Sequence, residues 1–282
     1  MIDGLGRAAP ELAGESGDTM WFLKPDQRRA VIMLPGGVLP AEIAYKDLIQ
    51  QLGPQTDVVA KELEMYSTPH PRADYGLNLE VAGILGAADQ ANFERFHLLG
   101  YSAGGASSLA FAAAHPERLL SLALAEPAWD GAQGLSDAEH AVWQEFGRIM
   151  ELPEEQRLPA FVRNQLRPGI SPPPPPPRPP PPRRSSRPAA LATFVRVFRS
   201  SQLDRDGLRS FDRPVYFALG GLSNPDYYDR MSKRLAKVFP DFTVEVYPDR
   251  HHFDPPHRIE PERFAAALRR LWARAETGRA TT

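Results

Sequence analysis

Residues 96–105 read Phe96-His97-Leu98-Leu99-Gly100-Tyr101-Ser102-Ala103-Gly104-Gly105, with Ala106, Leu109 and Ala113 following at helical spacing. The apolar run Phe96–Leu99 predicts a strand, and Ala106–His115, closed by Pro116, predicts a helix. Between the two the chain turns sharply, which needs small residues because the turn is strained and the backbones pack closely. A G-x-S-x-G pentapeptide alone is common; flanked by a strand and a helix it becomes a specific signal. In that setting the Ser102 hydroxyl is lifted above the C-terminal edge of a sheet, within reach of a substrate. The backbone N–H of Ala103 and the helix N-terminus aim at the same space, where an oxygen becomes negative during acyl transfer. The competing reading is a Gly/Ser-rich strand–helix turn that binds phosphate or nothing.

Working outward, Ala30–Leu34 (AVIML) is apolar throughout, as expected of a strand buried on both faces, and ends in Pro35-Gly36-Gly37. Helical spacing over Ala41–Leu52 and Asn78–Ala91 alternates with strand-like Asp57–Lys61 and Leu120–Ala125. Such alternation with short connections predicts an α/β fold, a mostly parallel sheet with helices on both faces. It stops near residue 127 and resumes with a strand at Pro214–Leu219, a helix at Tyr227–Val238, a strand at Thr243–Tyr247 and a helix at Glu260–Ala275. The interruption holds helical patterns at Asp137–Met150, Leu158–Gln165 and Ala189–Phe198, and the run PPPPPPRPPPP at 172–182. The expected organisation is a core of residues 1–126 and 205–282 with an inserted helical, proline-rich cap or lid at 127–204. Residues 1–18 read as a loose leader and Met20–Leu23 as a short β-like run. As polyproline II the proline run would extend about 34 Å. It fits a strut of the lid, a semi-rigid linker or a docking peptide.

Composition removes several classes of function. The sequence has no cysteine, which excludes disulfides, thiolate metal sites and a cysteine nucleophile. A formal net charge of −2 gives no electrostatic reason to expect nucleic acid or an anionic membrane as partner. No apolar run approaches membrane-spanning length, so a soluble cytoplasmic protein is expected. Arginine greatly outnumbers lysine, a usage associated with GC-rich bacterial genomes.

The stretches 30–126 and 214–275 resemble the α/β-hydrolase superfamily. Three motifs carry the resemblance: Gly100-Tyr101-Ser102-Ala103-Gly104, Leu34-Pro35-Gly36-Gly37-Val38, and Pro248-Asp249-Arg250-His251-His252-Phe253. The family implies a serine nucleophile followed along the chain by an acid and then a histidine. That order makes Ser102 the nucleophile and His252 the base, with His251 second. His115 and His140 are read as structural. His251, His252 and His257 lie close together, but neither a carboxylate cluster nor helical i, i+4 spacing accompanies them to indicate a metal. The second segment occupies the place of the family's His-Gly oxyanion loop, with Pro35 where histidine is usual. The match implies Gly37, or alternatively Val38, as a donor beside Ala103. The family's usual acid falls on Asn224, which cannot supply a charge. Some members, including certain haloalkane dehalogenases, place the acid after the preceding strand. Glu126 is therefore the first candidate and Asp226 the alternative.

The resemblance implies an esterase-like serine hydrolase that cleaves a small-molecule ester, thioester or lactone through an acyl-enzyme, without metal or organic cofactor. The same fold also serves haloperoxidase-like, C–C bond-cleaving and hydroxynitrile-lyase reactions. The alternative is a non-catalytic binding protein of this fold that uses the proline-rich segment for interaction; Asn224 at the usual acid position keeps it open. Nucleic acid and membrane are not expected as partners, and homo-oligomerisation is left open.

Overall fold

Apolar runs too long to leave one face in water must pack between layers, and here they form the middle layer of three. The computed structural model describes residues 28–171 and 186–277. Its strands are β1 (Arg29–Leu34), β2 (Thr56–Ala60), β3 (Phe96–Tyr101), β4 (Leu119–Ala125), β5 (Val215–Gly220) and β6 (Phe242–Tyr247). They form one sheet in the order β2-β1-β3-β4-β5-β6, with every pair parallel. The continuous hydrophobicity of β1 has a direct cause. Val31 and Met33 enter the core on one side of the sheet, Ile32 and Leu34 the core on the other. The sheet expected from the sequence is the one observed.

The helices are α1 (Ala41–Ala44), α2 (Lys46–Leu52), α3 (Leu77–Gln90), α4 (Ala103–Ala114), α5 (Asp137–Glu151) and α6 (Glu154–Asn164). They continue with α7 (Arg187–Ser200), α8 (Arg205–Arg209), α9 (Arg230–Leu235), α10 (Pro256–Ile259) and α11 (Pro261–Thr277). Leu48 and Leu52 of α2 cover one face together with Phe264, Leu268, Leu271 and Trp272 of α11. Ile84 and Ala88 of α3 and Ala106, Leu109 and Phe111 of α4 cover the other. α5, α6 and α7 pack on one another in the stretch between β4 and β5. Half-buried Arg234 of α9 ties that stretch to the core. It donates to Asp130 at 2.7 and 2.8 Å and also pairs with Glu139 in the first turn of α5. The connections of β1 and β3 leave in opposite directions along the sheet, because β1 lies between β2 and β3. Sheets of this kind open a crevice at such a switch point, beyond the C-terminal strand ends. Gly36–Val38 and Ser102 both sit there.

Several boundaries differ from the sequence reading, each for a local reason. The helix expected over Ala41–Leu52 is split at Tyr45, whose hydroxyl donates to the Leu34 carbonyl at 2.6 Å. α6 begins at Glu154, with Pro159 inside it, although proline reads more naturally as a helix start. The helix expected over Tyr227–Val238 opens with a wider turn at Pro225–Asp229, which buries Tyr227 and Tyr228. The leader, the run Met20–Leu23 and the proline run 172–182 lie outside the described residues.

α4 begins at Ala103 and not at Ala106, so Gly104 and Gly105 are helical. A Cβ on Gly104 would lie 2.5 Å from the Leu34 carbonyl oxygen and 2.6 Å from that of Pro35. Alanine is the better helix former by about 1 kcal/mol. Two fixed backbone oxygens cannot rotate away, however, and overpacking of this kind costs about 1–3 kcal/mol. The clash prevails: Gly104→Ala is expected to lower the melting temperature in calorimetry, and an unchanged or raised value would contradict this account of the close packing.

Candidate active site

Ser102 follows β3 and precedes α4 at φ 53° and ψ −118°, a conformation L-residues rarely adopt. Strain of this kind costs about 1–3 kcal/mol and persists only where neighbours hold it. Here the Ser102 N–H donates to the Ala125 carbonyl at 3.1 Å, while the Ser102 carbonyl accepts from Ala128 at 2.8 Å and Ala106 at 3.1 Å. Gly100 is required as well, since a Cβ there would lie 2.3 Å from Ser108 Oγ and 2.4 Å from the Gly104 carbonyl oxygen.

The strained turn aims Ser102 Oγ at His252 Nε2, 3.0 Å away. On the far side of the ring, Nδ1 lies 3.1 Å from Glu126 Oε2. A carboxylate only accepts, so a neutral ring in this place carries its proton on Nδ1 and presents Nε2 as an acceptor to the Ser102 hydroxyl. Glu126 stands at the end of β4, itself at φ 44°, and its Oε1 accepts from the Gly220 N–H at 2.8 Å. His252 and Glu126 are 1% and 5% exposed. A charge so enclosed is stable only when partnered, and both carboxylate oxygens are.

The other acid candidate is elsewhere. Asp226 is exposed and pairs with Arg230 at 3.2 Å. Asn224 accepts from the Asp226 N–H at 3.0 Å and donates to the Asn164 carbonyl at 2.8 Å, so it shapes the loop and pins the end of α6. Nor do the remaining histidines meet Ser102. His251 accepts from the Phe253 N–H at 3.2 Å, and burial lowers its pKa. His257 is packed among Tyr45, Tyr101 and Phe264; burial, with Arg258 and His252 nearby, pushes its pKa down to about 3. His115 ends α4 beside Glu117, and His140 is exposed on α5. Among the described residues no group of three His, Asp or Glu side chains could hold a metal ion.

The Gly37 carbonyl accepts from the Tyr66 hydroxyl at 2.6 Å and that of Val38 from Arg187 at 2.9 Å, which fixes the loop. Pro35, in the place of the usual histidine, uses its carbonyl to accept from the Gly104 N–H at 3.1 Å. No acceptor among the described residues takes the N–H of Gly37, Val38 or Ala103. These three residues and Ser102 line an apolar cavity whose walls also include Trp143 and Phe146 of α5, Phe161 of α6, and Phe194, Val195 and Phe198 of α7. No charged side chain lines it among the described residues.

Two tyrosines at the site escaped the sequence reading. Tyr101 falls at a free position of the pentapeptide, yet its hydroxyl donates to the His252 carbonyl. Tyr228 stacks on the His252 ring, with centroids 4.7 Å apart and planes 14° apart. Nothing local in the sequence marks Tyr228, because its partner comes from another loop.

A parallel sheet with a strained serine at its crevice, hydrogen-bonded through histidine to a buried carboxylate, has the form of an α/β hydrolase. The sequence pattern of the alpha/beta hydrolase fold matches residues 66–255, and the chain belongs to that family. It is 34% identical over 109 residues to the 2-hydroxy-6-oxo-6-phenylhexa-2,4-dienoate hydrolase of Comamonas testosteroni. That match spans 36% of this chain and 38% of the Comamonas enzyme. Among solved structures it resembles a thermophilic esterase from Thermogutta terrifontis, with TM-score 0.65 and 16% identity over 89% of this chain and 92% of the esterase. It also resembles the 2-hydroxy-6-oxo-6-phenylhexa-2,4-dienoate hydrolase of Rhodococcus sp. strain RHA1, with TM-score 0.60 and 16% identity over 87% and 91% of the two chains. At these identities the structural likeness is one of fold. No helix among the described residues is long and apolar enough to cross a membrane.

Proposed function

We propose that this α/β hydrolase cleaves a carboxylic ester, thioester or lactone through an acyl-enzyme on Ser102. The observation that carries the reading is the hydrogen-bonded chain Ser102–His252–Glu126. Ser102 Oγ attacks the carbonyl carbon while its proton passes to His252 Nε2, and Glu126 stabilises the imidazolium that results. The carbonyl oxygen becomes negative and is met by the N–H groups of Ala103 and of Gly37 or Val38. Collapse expels the alcohol, thiol or lactone oxygen, which takes the proton from His252. Water, deprotonated by His252, then attacks the acyl carbon; the bond to Ser102 Oγ breaks, Oγ takes the proton back from His252, and the acid leaves. Residues 127–204 act in this reading as a cap that shapes the substrate cavity.

The uncharged cavity wall supports an apolar acyl group. A buried, unpaired carboxylate costs several kcal/mol. The p-nitrophenyl ester of 3-phenylpropanoic acid is therefore expected to exceed the monoester of a dicarboxylic acid of similar length by about 100-fold or more in kcat/KM. Equal rates, or preference for the charged ester, would remove the argument from the cavity.

The segment shared with the Comamonas enzyme favours a second reading, hydrolysis of a C–C bond next to a ketone, and the same residues would activate the nucleophile. Turnover of 2-hydroxy-6-oxo-6-phenylhexa-2,4-dienoate, with no turnover of simple esters, would select it.

A further inference from the structure

We propose that Tyr228 is a positioning residue for His252, holding the imidazole in the plane in which it relays the proton and facing the charge it acquires. The inference rests on the acyl-transfer reading of Ser102 and His252. Hydrogen bonds at Nδ1 and Nε2 fix the two ends of the ring but leave it free to rock about the line that joins them. A parallel ring against one face removes that freedom. Of the aromatic contacts to His252 among the described residues, Tyr228 alone is near parallel: the planes are 14° apart, against 37° for Tyr101 and 85° for Phe253. The stacked face also carries the negative side of a ring quadrupole, which favours a cation over a neutral ring. Imidazolium forms only as the reaction proceeds, so the contact strengthens toward the transition state and acts on kcat.

Tyr228 is itself held. It is fully buried, and its hydroxyl donates to Gln165 Oε1 at 2.6 Å. Burial first, and then the charge of Glu126, raise its pKa well above the ordinary value, so it remains a neutral donor. Gln165 follows α6, where the chain is stitched to the loop after β5. Asn224 N–H donates to the Gln165 carbonyl at 2.9 Å, Arg167 N–H donates to the Leu222 carbonyl at 2.9 Å, and Leu166 forms a bridge with Ser223. Gln165 also lines the cavity. The loop that in many relatives holds the acid here carries Asn224, and it serves His252 from its face instead of from Nδ1.

The test compares wild type, Tyr228→Leu, Tyr228→Met and Tyr228→Phe with one neutral p-nitrophenyl ester. Turnover is normalised to sites titrated by prolonged fluorophosphonate labelling, and circular dichroism reports folding. Methionine fills the volume without a π face and provides the measurement if the leucine variant does not fold. Loss of the ring is expected to lower kcat between about 10- and 100-fold with KM within about twofold. Tyr228→Phe keeps the ring and is expected to restore kcat to within about threefold of wild type. Unchanged kcat in a folded Leu or Met variant, a loss confined to KM, or a Phe variant as slow as Leu would overturn the proposal. Absence of turnover and of labelling in wild type would instead overturn the acyl-transfer reading beneath it.

Discussion

Ser102→Ala is expected to lower kcat by about 10⁴- to 10⁶-fold, with KM little changed. The size follows from removing the atom that bonds to the substrate carbon while leaving every neighbour in place. Alanine accepts the same backbone at the same cost, since serine already sits at φ 53° with a Cβ. The bonds that hold the turn, to Ala125, Ala106 and Ala128, all use the main chain and survive. What remains is the catalysis supplied by the oxyanion donors and by binding, some 10³-fold over water in comparable enzymes. Steady-state kinetics beside a calorimetric melting temperature checks this. Activity within tenfold of wild type in a well-folded variant would assign the nucleophile elsewhere.

The second large effect concerns the carboxylate. Glu126→Gln is expected to lower kcat by about 10³- to 10⁴-fold, and the reason is geometric as well as electrostatic. Both oxygens of Glu126 are used, one by the Gly220 N–H and one by His252 Nδ1. An amide has a single oxygen to offer two donors. With that oxygen toward Gly220, the NH₂ group faces Nδ1 and forces the ring proton onto Nε2, where it points at Ser102 and blocks proton transfer. With the amide turned over, two N–H groups meet at Gly220 and the imidazolium still lacks a counter-charge. Asp226→Asn loses only an exposed pair with Arg230 and is expected to leave kcat within about twofold. The reverse ranking in the same ester assay would contradict the assignment.

The contrast between these two acids shows where sequence reasoning reaches and where it ends. The central strands are legible because both faces are buried, so AVIML and LSLALA stay apolar without alternation. Ser102 is legible because its turn demands glycine and alanine at fixed offsets, and His252 because its loop resembles that of the family. The choice between Glu126 and Asp226 needs distances that no local pattern encodes. β4 must lie beside β5 in register, Leu122 with Val215, and Glu126 must adopt φ 44° for its carboxylate to meet the Gly220 N–H and His252. Tyr228 is further out of reach, since a turn that looks like the start of a helix buries its ring against another loop. Helix limits fail for a related reason. Tyr45 leaves its helix for the Leu34 carbonyl, a tertiary bond that overrides local spacing.

The central claim, that Ser102 is an activated nucleophile, is tested most directly by labelling the purified protein with a fluorophosphonate and mapping the adduct by peptide mass. One adduct per chain is expected, on the peptide that contains Ser102, and none in Ser102→Ala. A folded wild-type protein that stays unlabelled, or is labelled at another residue, would contradict it; the unlabelled case would favour a binding protein that keeps the hydrolase fold.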